Sequence, residues 1–172
     1  MKKLSFVLIV LIATTLFLSC QQSKRLSKSE DVGPYVVHLL KNFENTSLED
    51  FKNKLLTLEE IKAYGKKYAD TLSQETIKSI ESIKKENYEN LTNKAYNDIK
   101  AGGEKYNIDW NAITFYQFDF KERTADGLTG IGGELLFTFK DTIYEVRTTA
   151  LKLENKYIPV IANRLKQKEP TE

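Results

Sequence analysis

At Gly102-Gly103 the spacing of apolar residues in this chain changes from three and four to two. No other feature constrains the fold as much. A 3.6-residue period lays apolar side chains along one face of a helix, and a two-residue period lays them on one face of a strand. From Asp31 to about Ile99 the helical spacing holds. Val36, Leu39, Leu40 and Phe43 form one face of a first helix, which Pro34 can open because the N–H it lacks is not needed in the first turn. Ser47 and Thr57 stand as N-caps, each with an acid three residues on, and Thr57-Leu58-Glu59-Glu60 is a capping-box pattern. Leu48, Phe51 and Leu55 mark one short helix; Ile61, Tyr64 and Tyr68 mark the next. Ser73 caps the longest. It is predicted as one rod, with Ile77, Ile80, Ile83, Tyr88, Leu91, Ala95 and Ile99 in a stripe and the glycine pair at its end.

Beyond the glycines, aromatic and β-branched residues dominate. "AITFYQFDFKE", 112–122, reads as a strand whose alternation slips between Ile113/Phe115 and Phe118/Phe120, which predicts a bulge near Tyr116. "DGLTGIGG", 126–133, reads as a flexible hairpin connection. "ELLFTFK", 134–140, is a second strand; Asp141-Thr142 turns the chain into Ile143 to Leu153; Glu154-Asn155-Lys156 turns it again into Tyr157 to Ala162. Connections this short require antiparallel neighbours. The expected fold class is therefore α+β: a helical N-terminal half whose long amphipathic helix packs on a C-terminal four-stranded antiparallel sheet. This helix-then-meander order is similar to the cystatin-like and NTF2-like rolls of exported lipoproteins. The resemblance implies a concave sheet, sometimes with a pocket, and implies no reaction.

The first twenty residues carry an address. Lys2-Lys3, an uncharged stretch from Leu4 to Leu18, and Ser19-Cys20 follow the basic, apolar and small-residue order of a secretory signal. As a helix the apolar stretch spans about 22 Å, short of the roughly 30 Å of bilayer hydrocarbon. Leu16-Phe17-Leu18-Ser19-Cys20 resembles the box of a bacterial lipoprotein signal, which implies acylation of the Cys20 sulfur and cleavage before it. Cys20 is the one cysteine of the chain, and a thioether leaves an exported protein no free thiol. Gln21, rather than Asp, after the cysteine implies by the same resemblance the outer membrane, facing the periplasm. The expected organisation is a signal peptide over 1–19, the lipidated cysteine and a polar tether over 20–30, one domain over 31–165, and a flexible tail over 166–172.

Charge and chemistry narrow the function classes. The chain holds 26 Lys and Arg against 24 Asp and Glu, and two of the basic residues are Lys2 and Lys3, so the processed chain is balanced. Interspersed, balanced charge gives no footprint for nucleic acid or for an anionic bilayer. The partners expected are the membrane, through the lipid, and an envelope protein, glycan or lipid ligand. His38, the single histidine, lies on the flank of the first helix with no evident partner, and no metal-ligand spacing or cofactor motif occurs. The glycine run lacks the Gly-Lys-Ser/Thr ending of a phosphate loop. Asp119, Glu122, Glu134 and Glu145 could pair across a sheet as glycosidase carboxylates do, although acids alternating outward explain them equally. Helical and strand periodicity places most aromatics inward, with Trp110 and Tyr116 the expected exceptions and candidate ligand contacts. A non-catalytic binding or scaffolding module is the expected function. A carboxylate-pair hydrolase and an immunity or inhibitor protein are the alternatives.

Overall fold

The computed structural model describes residues 23–168. Five α-helices precede four strands: α1 Val32–Lys41, α2 Leu48–Asn53, α3 Leu58–Lys67, α4 Gln74–Ser82 and α5 Lys85–Lys105, then β1 Thr114–Ala125, β2 Leu128–Phe139, β3 Thr142–Leu153 and β4 Lys156–Gln167. The sheet is antiparallel throughout, in the order β1-β2-β3-β4. The chain is thus α+β, with its helices N-terminal and its strands C-terminal.

Local chemistry sets most element ends. Thr57 closes a complete capping box, accepting from the Glu60 N–H at 3.2 Å while Glu60 accepts from the Thr57 N–H at 2.9 Å. Ser47 and Ser73 each accept one N–H, at 3.1 Å, from Asp50 and Thr76. Each hairpin turns on two residues. Asp126 and Gly127 (φ 50° and 83°) and Glu154 and Asn155 (φ 52° and 60°) both sit in the left-handed region, as a type I′ turn requires. The glycine-rich run is therefore no flexible connection. Only Asp126-Gly127 turns, and the rest belongs to β2, because β1 extends to Ala125 and each of its residues there finds a partner. The predicted bulge is present: Phe115 faces Phe137 and Gln117 faces Leu136, leaving Tyr116 extra.

One face of the sheet curls around α1. Val32, Tyr35, Val36, Leu39 and Leu40 pack in a single core with Ile131, Leu135, Phe137 and Val146 of the central strands. Helix α1 touches both edge strands, β1 and β4, and the Tyr157 hydroxyl of β4 donates to Glu122 of β1 across the curl. The outer face is covered only at the end that carries the Asp126-Gly127 and Glu154-Asn155 turns. There Leu56, Leu153 and Ile158 form a second cluster with Ile61 and Tyr64 of α3.

The predicted long rod is two helices, broken at Ile83 and Lys84, whose ψ of 110° and 142° are extended. Their partners differ. Ile80 of α4 packs on α3, where a Cβ on Gly65 would meet it at 2.9 Å, and the sheet is met instead by α5, whose Ala95 and Ile99 share the core with Leu165 of β4 and whose Gly102 lies against that leucine. A straight helix cannot serve both surfaces. Leu91, expected in the docked stripe, is 49% exposed.

Two boundaries also move. The segment read as a tether is docked from Lys24 onward: Leu26 exchanges backbone hydrogen bonds with Tyr157 (2.9 and 2.8 Å), and Ser29–Asp31 forms a 3₁₀ turn. The expected tail begins inside β4, which pairs to Gln167, and the Lys168 N–H donates to the Ile143 carbonyl at 2.9 Å. Ile99→Ala is expected to cost about 2–5 kcal/mol, as buried Ile-to-Ala changes do. Leu91→Asp should stay within about 0.5 kcal/mol of the parent. Urea unfolding of the two variants checks both.

Candidate functional site

The uncovered half of the outer sheet face holds a groove of about 480 Å³, walled by Glu134 of β2, Glu145 and Arg147 of β3, and Arg164 and Lys166 of β4, with Gly132 and Gly133 as its floor. Strand register assembles it. Asp119, Glu134, Arg147 and Asn163 stand side by side across the four strands, and Gln117, Leu136, Glu145 and Lys166 form the next row on the same face.

The two glycines differ in purpose. A Cβ on Gly133 would overlap the Asp119 carbonyl oxygen and crowd Phe120, so the close approach of β1 and β2 demands glycine there. On Gly132 a Cβ would meet only Thr149 Cγ2, at an ordinary 3.6 Å, and its φ is not positive. Glycine in a strand interior weakens the strand and offers nothing to packing. At Gly132 its effect is to keep the groove floor clear.

The carboxylates in and beside the groove have partners. Glu145, only 7% exposed, is paired with Lys166 Nζ at 3.1 Å. Lys168 Nζ lies 4.0 Å from Glu134, and Gln117 Nε2 donates to Asp119 at 2.5 Å. Arg147 and Arg164 are exposed, and among the described residues neither has a carboxylate within 4.0 Å. Arg164 sits at φ 58°, in a bulge where Val146 faces two residues: Glu145 pairs with Lys166 and Arg147 with Asn163. A bulge re-aims side chains. Here it keeps Leu165 in the core while both Arg164 and Lys166 line the groove.

The residues singled out from sequence do not converge. Trp110 is buried, 4% exposed, among Phe43 and Phe137 at ring distances of 5.4 and 6.2 Å, because Gly103 leaves room for its indole against α5. It still lines a shallow depression of about 340 Å³ with Phe43, Tyr96 and Lys100. Tyr116 is 54% exposed at the bulge and takes no part in that lining. Of the four acids, Asp119 and Glu134 are opposite one another in register, Glu145 is in the neighbouring row, and Glu122 points to the other face, where it accepts from Tyr157. His38 is exposed on α1; its carbonyl accepts from Asn42 Nδ2 at 3.3 Å, and its imidazole has no hydrogen-bond partner among the described residues. Cys20 lies outside the described residues. No cluster of His, Cys, Asp and Glu suited to a metal ion occurs among the described residues, and none of their helices is long and apolar enough to cross a membrane.

Sequence reading missed Gly132, Arg147, Arg164 and Lys166. Arg147 and Gly132 had a legible signal, since each alternates with core residues along its strand. The bulge that turns Arg164 outward left none. Comparison of the chain with family models, with curated proteins and with solved structures gave no match. Gly133→Ala is expected to destabilise the fold by more than about 1 kcal/mol, whereas Gly132→Ala should leave stability unchanged or raise it by about 0.5 kcal/mol. Thermal melts of the two variants distinguish the roles.

Proposed function

We propose that this chain is a lipid-anchored, non-catalytic binding module of a bacterial cell envelope, held at the outer membrane on its periplasmic side, with the outer-face groove as its ligand site. The observation that carries the binding role is the groove itself. It is an open, glycine-cleared surface on a rigid sheet whose acids are already engaged by Lys166, Lys168 and Gln117. The anchor rests on the Leu16–Cys20 box. One acyl chain binds a bilayer marginally, and two or more hold stably at about 0.8 kcal/mol per buried CH₂.

The docked N-terminal segment supports a fixed orientation. Lys24 Nζ donates to the Asn53 and Leu55 carbonyls at 3.2 and 2.8 Å and to Glu60 at 2.8 Å, and Arg25 pairs with Glu60 at 3.3 Å. Only Gln21, Gln22 and Ser23 lie between Cys20 and Lys24. Four Cα steps reach at most about 14 Å, against about 35 Å for the tether expected from sequence. The Glu154-Asn155 end of the sheet would then face the bilayer. The groove would stand away from it, its far end at Lys166 seven β3 rungs from Tyr157 (Lys152 to Glu145), about 23 Å along the sheet.

Intact-mass analysis of the membrane fraction tests the anchor. A chain beginning at Cys20 and carrying acyl mass is expected, and an unmodified chain or one retaining residues 1–19 overturns it. The short leash has its own signature in pH. Burial pushes the Glu60 carboxyl up, but hydrogen bonds from Lys24 and the Thr57 N–H, with the charges of Lys24 and Arg25, outweigh it and hold the carboxyl below its ordinary value. A depressed carboxylate stabilises the folded state above the ordinary value of about 4.3 and stops doing so as pH falls through the lowered one. Hydrogen exchange at the Leu26 amide, corrected for intrinsic rate, should therefore accelerate on acidification below about pH 4, and Glu60→Gln should give the same acceleration at neutral pH.

A further inference from the structure

We infer that the groove binds an oxyanion, a carboxylate or phosphate group of the ligand, between Arg147 and Arg164. The inference rests on the reading of this groove as the ligand site and names the chemistry it takes. Three cations and two carboxylates line it, and the carboxylates do not use the arginines: Glu145 is held by Lys166 at 3.1 Å, and Glu134 has Lys168 at 4.0 Å. Two guanidinium groups are left on one open surface with no carboxylate within 4.0 Å among the described residues. A guanidinium presents planar, parallel N–H donors that match the oxygens of a carboxylate or phosphate two at a time.

Three further features belong to the same surface. Arg164 keeps a left-handed φ of 58°, which is costly for a residue with a side chain, at the bulge that sets it on the groove. Glu145, nearly buried, holds Lys166 beside it as a third cation. Gly132 is a floor position with space for a side chain and none present. Such glycines occur where a ligand approaches the backbone closely.

Inorganic phosphate is the probe. The full chain, isotopically labelled and purified in non-ionic detergent, is titrated with phosphate at constant ionic strength while the backbone amide and arginine Nε–H signals are followed. Saturable shifts centred on Gly132, Arg147 and Arg164 are expected. Arg147→Gln and Arg164→Gln should each weaken the site about tenfold, the loss of one charge-assisted contact. Gly132→Val, which suits a strand and fills the floor, should abolish saturation without lowering the melting temperature. Linear shifts spread over surface lysines overturn the inference, as does a Gly132→Val chain that binds phosphate like the parent. A second titration uses the same detergent doped with phosphatidylglycerol. Saturation by phosphate alone supports a soluble ligand, and saturation by the lipid supports a headgroup, with the same arginines reading either. A chain shown by mass to be lipidated but lacking the phosphate site overturns this inference alone. An unmodified chain that binds phosphate overturns the anchor alone.

Discussion

The burial of helix Val32–Lys41 inside the curl of the sheet is the contact on which the rest of the structure depends. Val32, Val36 and Leu40 are fully buried there, and each such side chain contributes roughly 1.5–3 kcal/mol against a net stability that is typically 5–15. The helix comes so close to β1 that a Cβ on Gly33 would meet Phe118 at 2.7 Å and Phe115 at 2.9 Å. With the helix in place the inner face is filled, so it is structural, and the edge strands are drawn near enough for Tyr157 to reach Glu122. Any open surface on the sheet must then be on the outer face, at the end that α3 leaves uncovered.

Between helix and sheet, three tyrosines tie down a stretch that could not hold itself. Helix α2 is 6 residues long, below what is stable alone in water. Tyr35 of α1 donates to the Lys54 carbonyl at 3.0 Å; Tyr88 and Tyr96 of α5 donate to Leu56 and Thr46, both at 2.9 Å. These bonds satisfy carbonyls in the loops on either side of α2, which have no partner inside the helix. Burial pushes the Tyr35 and Tyr88 hydroxyls up to about 12, which keeps them protonated, as donors, well above neutral pH. The same ties fix the loop whose Asn53 and Leu55 carbonyls receive Lys24, a second anchorage of the N-terminal segment beside the direct Leu26–Tyr157 pairing.

The groove owes its charge pattern to the sheet's two-residue alternation and to one departure from it. Alternation alone stacks Asp119, Glu134 and Arg147 across three strands with the core on the reverse side. In β4 the same alternation would send Arg164 inward once Leu165 faced out, and a buried, unpaired guanidinium is among the most expensive things a core can hold. The bulge opposite Val146 resolves the conflict, giving β4 its core leucine and two outward cations.

Fold class, the caps at Ser47, Thr57 and Ser73, the bulge at Tyr116 and the turn at Glu154-Asn155 were all determined by the sequence itself. Each is encoded within a few neighbouring residues: an apolar period, a hydroxyl three residues before an acid or threonine, a slip in alternation, a pair of turn formers. Tertiary structure decided the rest. It broke the Ser73 rod at Ile83 and Lys84, where no glycine or proline signals an end, because α4 and α5 bury their stripes on different partners. It drew the polar Lys24–Asp31 stretch onto the domain through Glu60 and Tyr157, residues far along the chain that no local pattern connects to it. It left Trp110 in the core and Tyr116 outside, and it gathered Gly132, Arg147 and Arg164 from three strands into one groove. Where a residue's environment comes from distant partners, the local sequence carries no record of it, and only the packed chain makes the choice.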